Sequence, residues 1–346
     1  MEYVKSVILQ THTNGKRLNK VLFITEIAST HAGSKKELNS LIKEIIKNSS
    51  DFVKFQIFNN NDLCHITSPL YSGLKKIELP YSYWNKIIVD ALKVKKVILE
   101  PFDYKSFEFC KKFKNKALIK ISSSEHDNTE MIIEALKNFK KVFFNISGLD
   151  LKELKTFLKK IDKYKKKIIF MYGFQSYPSD PKDLRLGLIK EMKKLGVSTG
   201  YADHSKTDDH LMTYLLTSKA IDLGANYVEK HITLKRRQKK PDYISSFEPK
   251  DLEKYVLFFK KKYTNNFIKK ISNKEKIYCN IMGKFGVAVD DFSKNEKLNI
   301  KKIKFLRTGK VGISRESLSD LLNNKSRSKK IIKKNEILQE KFFYQK

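Results

Sequence analysis

Two histidines, His204 and His231, have the spacing in this chain that most clearly indicates chemistry. Each ends a short apolar run, VSTGYADH (197–204) or ANYVEKH (225–231), and a helix-length segment of roughly 207–223 separates the runs. If both runs are parallel strands joined by that helix, they are neighbours about 4.8 Å apart. Their C-terminal ends then offer two imidazoles to one ion. The spacing therefore predicts a divalent-metal site with His204 and His231 as ligands.

Apolar runs rich in β-branched and aromatic residues, typical of strands buried on both faces, alternate with helical patterns along most of the chain. The predicted strands are 21–27, 51–58, 96–102, 117–123, 142–147, 168–174, 197–201 and 226–232, and helices are indicated at 35–47, 151–161 and 208–221. Eight such strands over about 250 residues predict a (β/α)₈ TIM barrel of the α/β class. An open doubly wound sheet is the competing architecture, but the chain has no GxGxxG turn to support it.

In such a barrel, functional residues concentrate at the C-terminal ends of the strands. All the predicted strands carry polar or ionisable groups there, which indicates a site at the barrel mouth. They are Glu26, Lys54, Gln56, Glu100, Lys120, Ser123, Ser147, Gln175, Tyr177, Asp203, His204, Glu229 and His231, and His31 lies in the first strand–helix loop. Lys54 and Lys120 either form buried ion pairs with Glu26 or Glu100, or converge on an anion such as a phosphate or carboxylate.

The two ends of the chain differ in pattern from the barrel. Residues 1–20 predict a β-hairpin around Asn14-Gly15, at the start of a barrel domain that spans 1–263. A lysine-rich linker is expected at 264–280. The remainder, 281–346, alternates short strand-like pieces with turn signals and predicts a small, mostly β domain with one helix at Arg315–Asn323.

The net charge of +33 raises the possibility of a nucleic-acid-binding module, which is the alternative of another class. Lysine is spread over every segment, however, so we interpret the charge as solvated surface that also attracts small anionic substrates, and nucleic acid is not the expected partner. No apolar run approaches the length of a membrane span. Cys64, Cys110 and Cys279 lie far apart without a CxxC motif, as expected of reduced cysteines in a cytoplasmic protein.

Several segments resemble those of the sialic acid synthases, and more broadly of the bacterial nonulosonic acid synthases that also make pseudaminic and legionaminic acids. They are TEIASTHAGS (25–34), FVKFQIF (52–58), EPF (100–102), IKISSSE (119–125), YPSDPKDLRLG (177–187), GYADHS (200–205), GANYVEKHITL (224–234) and PDYISSFEP (241–249). The C-terminal FGVAVD and FLRTGKVG segments resemble the small antifreeze-like (SAF) domain that follows the barrel in this family. The matching segments occur in one order over nearly the whole chain.

The resemblance implies a transferase that condenses phosphoenolpyruvate with an N-acyl hexosamine to give a nonulosonic acid and phosphate. The acceptor would be N-acetylmannosamine or a 2,4-diacylamino-6-deoxyhexose. The catalytic residues implied are Glu26, His204 and His231, with the histidines binding Mn²⁺, Mg²⁺ or Co²⁺, of which Mn²⁺ is favoured. The positions that match phosphoenolpyruvate-binding residues are Lys54, Lys120, Ser123 and Ser147, and those that match sugar-binding residues are Gln56, Glu125, Tyr177, Asp242 and Arg307. Arg307 would come from the partner subunit of a domain-swapped homodimer.

The departures from the family pattern gather on the phosphate side. Glu100 stands where the family usually has a small hydroxyl residue, and Ala202 replaces the serine of an SDH motif. These changes leave open an altered affinity, a different acceptor or a member that has lost turnover. A condensing barrel that acts on an aldose phosphate is a further alternative. It would need basic residues for a second phosphate, whereas Gln56, Tyr177 and Asp242 are neutral to acidic.

Overall fold

The computed structural model describes residues 21–264 and 273–344, so the predicted hairpin at 1–20 lies outside the described residues. The chain divides into two compact units, Met1–Asn265 and Asn266–Lys346. Within the described ranges, every helix is too short or too polar to span a lipid bilayer.

The first unit is a closed parallel barrel. Strands β1 to β8 pair in sequence order, β1 also pairs with β8, and β9 extends the sheet beside β8. The strands are β1 (Leu22–Glu26), β2 (Phe52–Ile57), β3 (Lys96–Pro101), β4 (Leu118–Ile121), β5 (Val142–Asn145), β6 (Ile168–Tyr172), β7 (Ser198–Asp203), β8 (Tyr227–Ile232) and β9 (Ser246–Phe247). The predicted TIM barrel is confirmed. The predicted seventh strand, 197–201, is too short, because β7 continues to Asp203 next to His204.

Helices connect the strands, and most of them bury apolar residues in the core on the outer side of the barrel wall. They are α1 (Lys35–Lys47), α2 (Asn60–Leu63), α3 (Tyr71–Ile77), α4 (Tyr81–Leu92), α5 (Tyr104–Lys111), α6 (Thr129–Asn138), α7 (Leu151–Lys160), α8 (Gly187–Lys194), α9 (His210–Leu223) and α10 (Pro249–Thr264). Local sequence fixes their ends: Ser34 caps α1 by accepting a hydrogen bond from the Glu37 amide, and Asp150 and Glu153 form a capping box at the start of α7. The predicted helix at 35–47 is confirmed.

Alternation along the strands divides the side chains between two environments. Outward residues such as Phe55 and Ile57 of β2 join the large core between strands and helices. Inward residues form a separate apolar layer inside the barrel, which contains Ile24, Phe52, Ile98, Phe143, Ile169, Met171 and Ala202. Gly200 is required there, because a Cβ atom at that position would overlap the Met171 sulfur and approach Tyr227 to 2.9 Å. On β1, β2, β3, β4 and β8 the next inward position carries an ionisable residue: Glu26, Lys54, Glu100, Lys120 and Glu229.

The second unit contains two antiparallel strand pairs. Strand β10 (Lys284–Ala288) pairs with β11 (Ile303–Arg307), and β12 (Arg327–Ser328) pairs with β13 (Phe343–Tyr344). Helix α12 (Arg315–Asn323) lies where the sequence predicts one. Helix α11 (Asn273–Met282) occupies much of the segment expected to be a linker. The linker assignment stays a prediction, and lysine and glutamate, which are good helix formers, favour a helix within it.

Candidate active site

The two histidines lie side by side at the C-terminal mouth of the barrel. The ring centroids of His204 and His231 are 5.3 Å apart, and Tyr177 packs against both rings, with centroid distances of 4.4 Å and 5.6 Å. The hydroxyl of Tyr177 donates a hydrogen bond to Gln175 Oε1 at 3.1 Å. The structure therefore brings together the two residues that the strand spacing paired, with an aromatic ring across them.

In each histidine, one ring nitrogen forms a hydrogen bond within the protein and the other does not. His204 Nδ1 lies 2.8 Å from the Phe174 carbonyl oxygen, to which it can only donate, so Nε2 is the acceptor nitrogen of the neutral ring. His231 Nε2 is hydrogen-bonded to Glu26 Oε2 at 3.1 Å, and His231 Nδ1 is buried without a hydrogen-bond partner. Metal-binding histidines characteristically hydrogen-bond a carbonyl or carboxylate through the second nitrogen in this way.

A metal ion fits this pair as a site with two protein ligands. The described residues contain no group of three or more His, Cys, Asp or Glu side chains placed to hold an ion, so solvent or substrate oxygens would have to complete the coordination. Burial lowers the pKa of His204 well below its usual value, which keeps the ring neutral as a ligand must be. The unpartnered Nδ1 of His231 is the observation that most favours a bound ion.

Beneath the histidines, five ionisable side chains form a buried network that we call the ion cluster: Glu26, Lys54, Glu100, Lys120 and Glu229. Register explains part of it, because Glu26 pairs with Lys54 on one side and with His231 on the other. Lys54 Nζ lies 2.6 Å from Glu100, 2.8 Å from Glu26 and 2.9 Å from Glu229. Lys120 Nζ lies 2.7 Å from Glu229 and 3.6 Å from Glu100.

Of the two alternatives that the sequence left open for the lysines, buried ion pairs are the arrangement observed. Both side chains are almost fully enclosed, with Lys54 exposed by 1% and Lys120 by 2%. Their assignment to phosphoenolpyruvate stays a prediction. The partner that the sequence interpretation missed is Glu229, which bridges both lysines. Its position two residues before His231 on the same strand was the available signal, since alternate residues share a face.

Burial and charge act in opposite directions on the pKa values in this cluster. Burial raises the pKa of Glu26, and the Lys54 charge offsets this only in part. Burial also opposes ionisation of Glu229, but Lys120 and Lys54 overcome it and hold its pKa well below the usual range. In Lys54 the carboxylates outweigh burial and raise the pKa well above its usual value. Glu26 thus holds a proton more readily than Glu229 does.

The two serines assigned to phosphoenolpyruvate line a cleft of about 470 Å³ above strands β4 to β6. Ser123 begins a short 3₁₀ helix, Ser123–Glu125, and is half-buried. Ser147 Oγ is hydrogen-bonded to Asn145 Oδ1 at 2.8 Å and to the Gly173 carbonyl oxygen. Arg185, which the sequence interpretation did not single out, also lines the cleft.

The residues assigned to the sugar occupy separate places around the mouth. Gln56 donates a hydrogen bond to Glu26 at 2.8 Å, and Glu125 accepts one from Asn128 at 2.8 Å. Asp242 has a left-handed backbone, with φ of 61°, and its carboxylate accepts a hydrogen bond from the Ser29 amide. Asp242 and Tyr177 line a further cavity of about 380 Å³. The Asp242 contact ties the segment after β8 to the first strand–helix loop.

Two other predicted residues lie in different surroundings. Arg307 is the exposed last residue of β11 in the second unit, where it pairs with Lys284. His31 is buried in the first strand–helix loop, where its Nδ1 accepts a hydrogen bond from the Gly33 amide and its ring packs edge-on against Trp84 at 6.0 Å. Burial lowers the pKa of His31 to about 4. His31 therefore stabilises the loop as a neutral ring.

Comparison with known proteins agrees with this architecture. The sequence profile of the NeuB family matches residues 41–266, which is more than half of the chain. The chain belongs to the NeuB family. This confirms the resemblance to nonulosonic acid synthases that the motifs indicated, whereas the antifreeze-like assignment of the second unit stays a prediction.

Individual relatives of this NeuB-family protein include an N,N'-diacetyllegionaminic acid synthase of Campylobacter jejuni, 26% identical over 81% of this chain and 88% of the relative. An uncharacterised protein of Methanocaldococcus jannaschii is 26% identical over 89% of this chain and 90% of its own length. Among solved structures, an N-acetylneuraminic acid synthetase from Leptospira borgpetersenii has a TM-score of 0.65 at 22% identity, covering 79% of this chain and 96% of that one. The structural likeness supports the fold, and the named synthases support an enzyme.

Proposed function

We propose that this protein condenses phosphoenolpyruvate with an N-acyl hexosamine, forming a nonulosonic acid and releasing phosphate. The observation that carries the proposal is the pair His204 and His231 at the barrel mouth, each with its second nitrogen hydrogen-bonded and Glu26 joined to one of them. Membership of the NeuB family indicates the class of reaction that we propose for this geometry. Phosphoenolpyruvate and an amino sugar are accordingly the substrates we propose.

His204 and His231 would hold a divalent ion, for which Mn²⁺ is the first candidate. When bound there, such an ion supplies Lewis acidity that polarises the aldehyde of the open-chain sugar. Tyr177 covers both rings and restricts access to them from solvent. Gln56, Glu125, Tyr177 and Asp242 would orient the sugar so that its aldehyde faces the histidines.

Glu26 would accept and return protons during the reaction. The methylene carbon of phosphoenolpyruvate attacks the aldehyde carbon, the new alkoxide takes up a proton, and a cationic centre develops at the carbon that carries the phosphate ester. Water adds at that centre and loses one proton, and the carbon–oxygen bond to phosphate then breaks as the remaining hydroxyl becomes the ketone and its proton passes to the departing phosphate. A buried carboxyl with a raised pKa, hydrogen-bonded to His231, is suited to accept and return such protons.

The phosphate and carboxylate of phosphoenolpyruvate would be bound between the ion cluster and the serine-lined cleft, by Lys54, Lys120, Ser123 and Ser147. We further propose that the working unit is a domain-swapped homodimer in which Arg307 of one subunit reaches the N-acyl group in the other. An isolated subunit would then have an incomplete site.

The proposal is tested by incubating the protein with Mn²⁺, phosphoenolpyruvate and a panel of 2-acylamido hexoses, and measuring released phosphate. We expect release that depends on both the metal and one of the sugars. His204→Ala should abolish release while leaving the far-UV circular dichroism spectrum unchanged. His65→Ala, which removes an exposed histidine, is the matched control and should retain full activity. Full activity of His204→Ala would refute the assignment of the metal site.

A further inference from the structure

Glu100 is placed as an internal anion in the ion cluster. It extends inward from β3, is exposed by only 3%, and reaches both lysines through different oxygen atoms. Its Oε2 lies 2.6 Å from Lys54 Nζ, and its Oε1 lies 3.6 Å from Lys120 Nζ. Glu100 thus accepts the hydrogen bond from Lys54, and pairs with the charge of Lys120, where an anionic substrate would otherwise do so.

The ion cluster carries no net positive charge. It contains three carboxylates (Glu26, Glu100 and Glu229) and two ammonium groups (Lys54 and Lys120), so its fully ionised charge is 2 − 3 = −1. If Glu26 holds a proton, the charge rises only to zero. Within the ion cluster, a phosphate group that approaches Lys54 therefore meets side chains whose summed charge is neutral or negative, and a carboxylate must move away before the lysines can pair with the phosphate instead.

Glu100 is the carboxylate best able to move. Glu26 is also hydrogen-bonded to Gln56 and His231, and Glu229 lies within 2.9 Å of both lysines. The described contacts of Glu100 are with the two lysines alone, and the longer of them is 3.6 Å. Displacing Glu100 leaves Lys54 still paired with Glu26 at 2.8 Å and with Glu229 at 2.9 Å, so the fold retains its buried ion pairs.

We propose that Glu100 competes with the substrate anion for Lys54 and Lys120 and thereby determines the specificity of this site. The inference rests on the proposed function, in which those lysines bind phosphoenolpyruvate. Because Glu100 is tethered in place, a ligand must carry more charge than a single carboxylate to displace it. The site should accordingly select multiply charged phosphate compounds and reject monocarboxylates such as pyruvate.

The test measures binding of inorganic phosphate, phosphoenolpyruvate and pyruvate to the full chain by isothermal titration calorimetry. Glu100→Gln removes the charge with little change of shape, and Glu100→Ser removes the side chain from the lysines. Both should bind phosphate and phosphoenolpyruvate about tenfold tighter or more, because one like charge close to the ligand has been removed. Both should also gain measurable affinity for pyruvate.

Asp51→Asn is the matched control. It removes one carboxylate charge from an ion pair with Lys260, 3.1 Å away, at the opposite end of the barrel before β2. It should bind all three anions as the wild type does. If the affinity of Asp51→Asn rises as much as that of Glu100→Gln, the effect comes from net charge and the inference is wrong.

The remaining outcomes separate this inference from the proposed function. Folding of each variant is checked by the fluorescence of Trp84, the single tryptophan of the chain. If folded Glu100→Gln and Glu100→Ser bind phosphate no more tightly than the wild type, Glu100 does not compete for the lysines and the inference is overturned. If they bind phosphate more tightly but no form of the protein releases phosphate from phosphoenolpyruvate with any acceptor, the inference stands and the proposed function fails.

Discussion

Removal of the Glu229 charge should destabilise the barrel, because this carboxylate joins two buried lysines. Its Oε1 lies 2.7 Å from Lys120 Nζ and 2.9 Å from Lys54 Nζ. In Glu229→Gln the shape is kept and the charge is lost. Lys54 would still contact Glu26 and Glu100, but Lys120 would retain only the 3.6 Å approach to Glu100. The variant therefore leaves one buried ammonium group almost without compensation.

Breaking a buried ion pair costs about 3–5 kcal/mol. Because Lys54 keeps two partners and the new amide oxygen can still accept a hydrogen bond, we expect a loss near the lower limit, about 3 kcal/mol in the free energy of unfolding. The pKa of Glu229 is depressed in the folded protein, so its stabilising effect is fully present above the unfolded value and is lost as the pH falls. The difference between wild type and variant should therefore shrink below about pH 4.5.

Urea denaturation followed by Trp84 fluorescence is a suitable assay. Trp84 is buried in α4 against Phe55 and His31, and no other tryptophan contributes, so its emission reports the first unit. Asp90→Asn, which disrupts an exposed ion pair with Lys93, is the control and should have no measurable effect. A loss below about 1 kcal/mol in Glu229→Gln at neutral pH would contradict the reasoning. Adding Lys120→Met should recover part of the loss, since the uncompensated charge is then removed as well.

Three further predictions follow from other parts of the molecule. His31 should lower the unfolding free energy of the wild type by up to about 3 kcal/mol between about pH 6.5 and pH 4, because the unfolded chain protonates this histidine before the folded protein does. In pH-dependent urea denaturation, the stability of His31→Gln should therefore fall less steeply over this range, and equal slopes in both proteins would refute the prediction. Gly200→Ala should cost about 1–3 kcal/mol in the same denaturation assay, since its Cβ overlaps the Met171 sulfur, and an unchanged midpoint would contradict the interior packing. Arg307→Ala should lower phosphate release. If the subunits exchange Arg307, mixing this variant with the inactive His204→Ala variant should restore activity, whereas mixed dimers without recovery would exclude the swapped arrangement.

Hydrophobic periodicity was sufficient to predict the barrel, because strands buried on both faces and amphipathic helices leave distinct patterns. It also located the His204 and His231 pair, since adjacent parallel strands end at the same edge of a sheet. Strand ends were less accurate: the sequence ended the seventh strand at 201, but β7 includes Asp203, whose polar side chain is buried and contacts Lys230.

The sequence could not predict which groups pair with each other within the ion cluster. Alternation places Glu26, Lys54, Glu100, Lys120 and Glu229 on the inner face, but it does not fix which oxygen meets which ammonium group. That depends on side-chain conformations at several strands at once and on the balance of burial against charge. For this reason the sequence left both alternatives open for the lysines, and Glu229 was not recognised as the residue between them.

The most direct test of the proposed condensation is mass spectrometry of a reaction run in isotopically labelled water. The protein, Mn²⁺, phosphoenolpyruvate and each N-acyl hexosamine are incubated, and the organic acid and the phosphate are analysed together. We expect a nonulosonic acid whose mass combines the sugar with the pyruvate unit, together with unlabelled phosphate, because water adds to carbon and the carbon–oxygen bond breaks. Labelled phosphate, or phosphate without any new sugar acid, would contradict it.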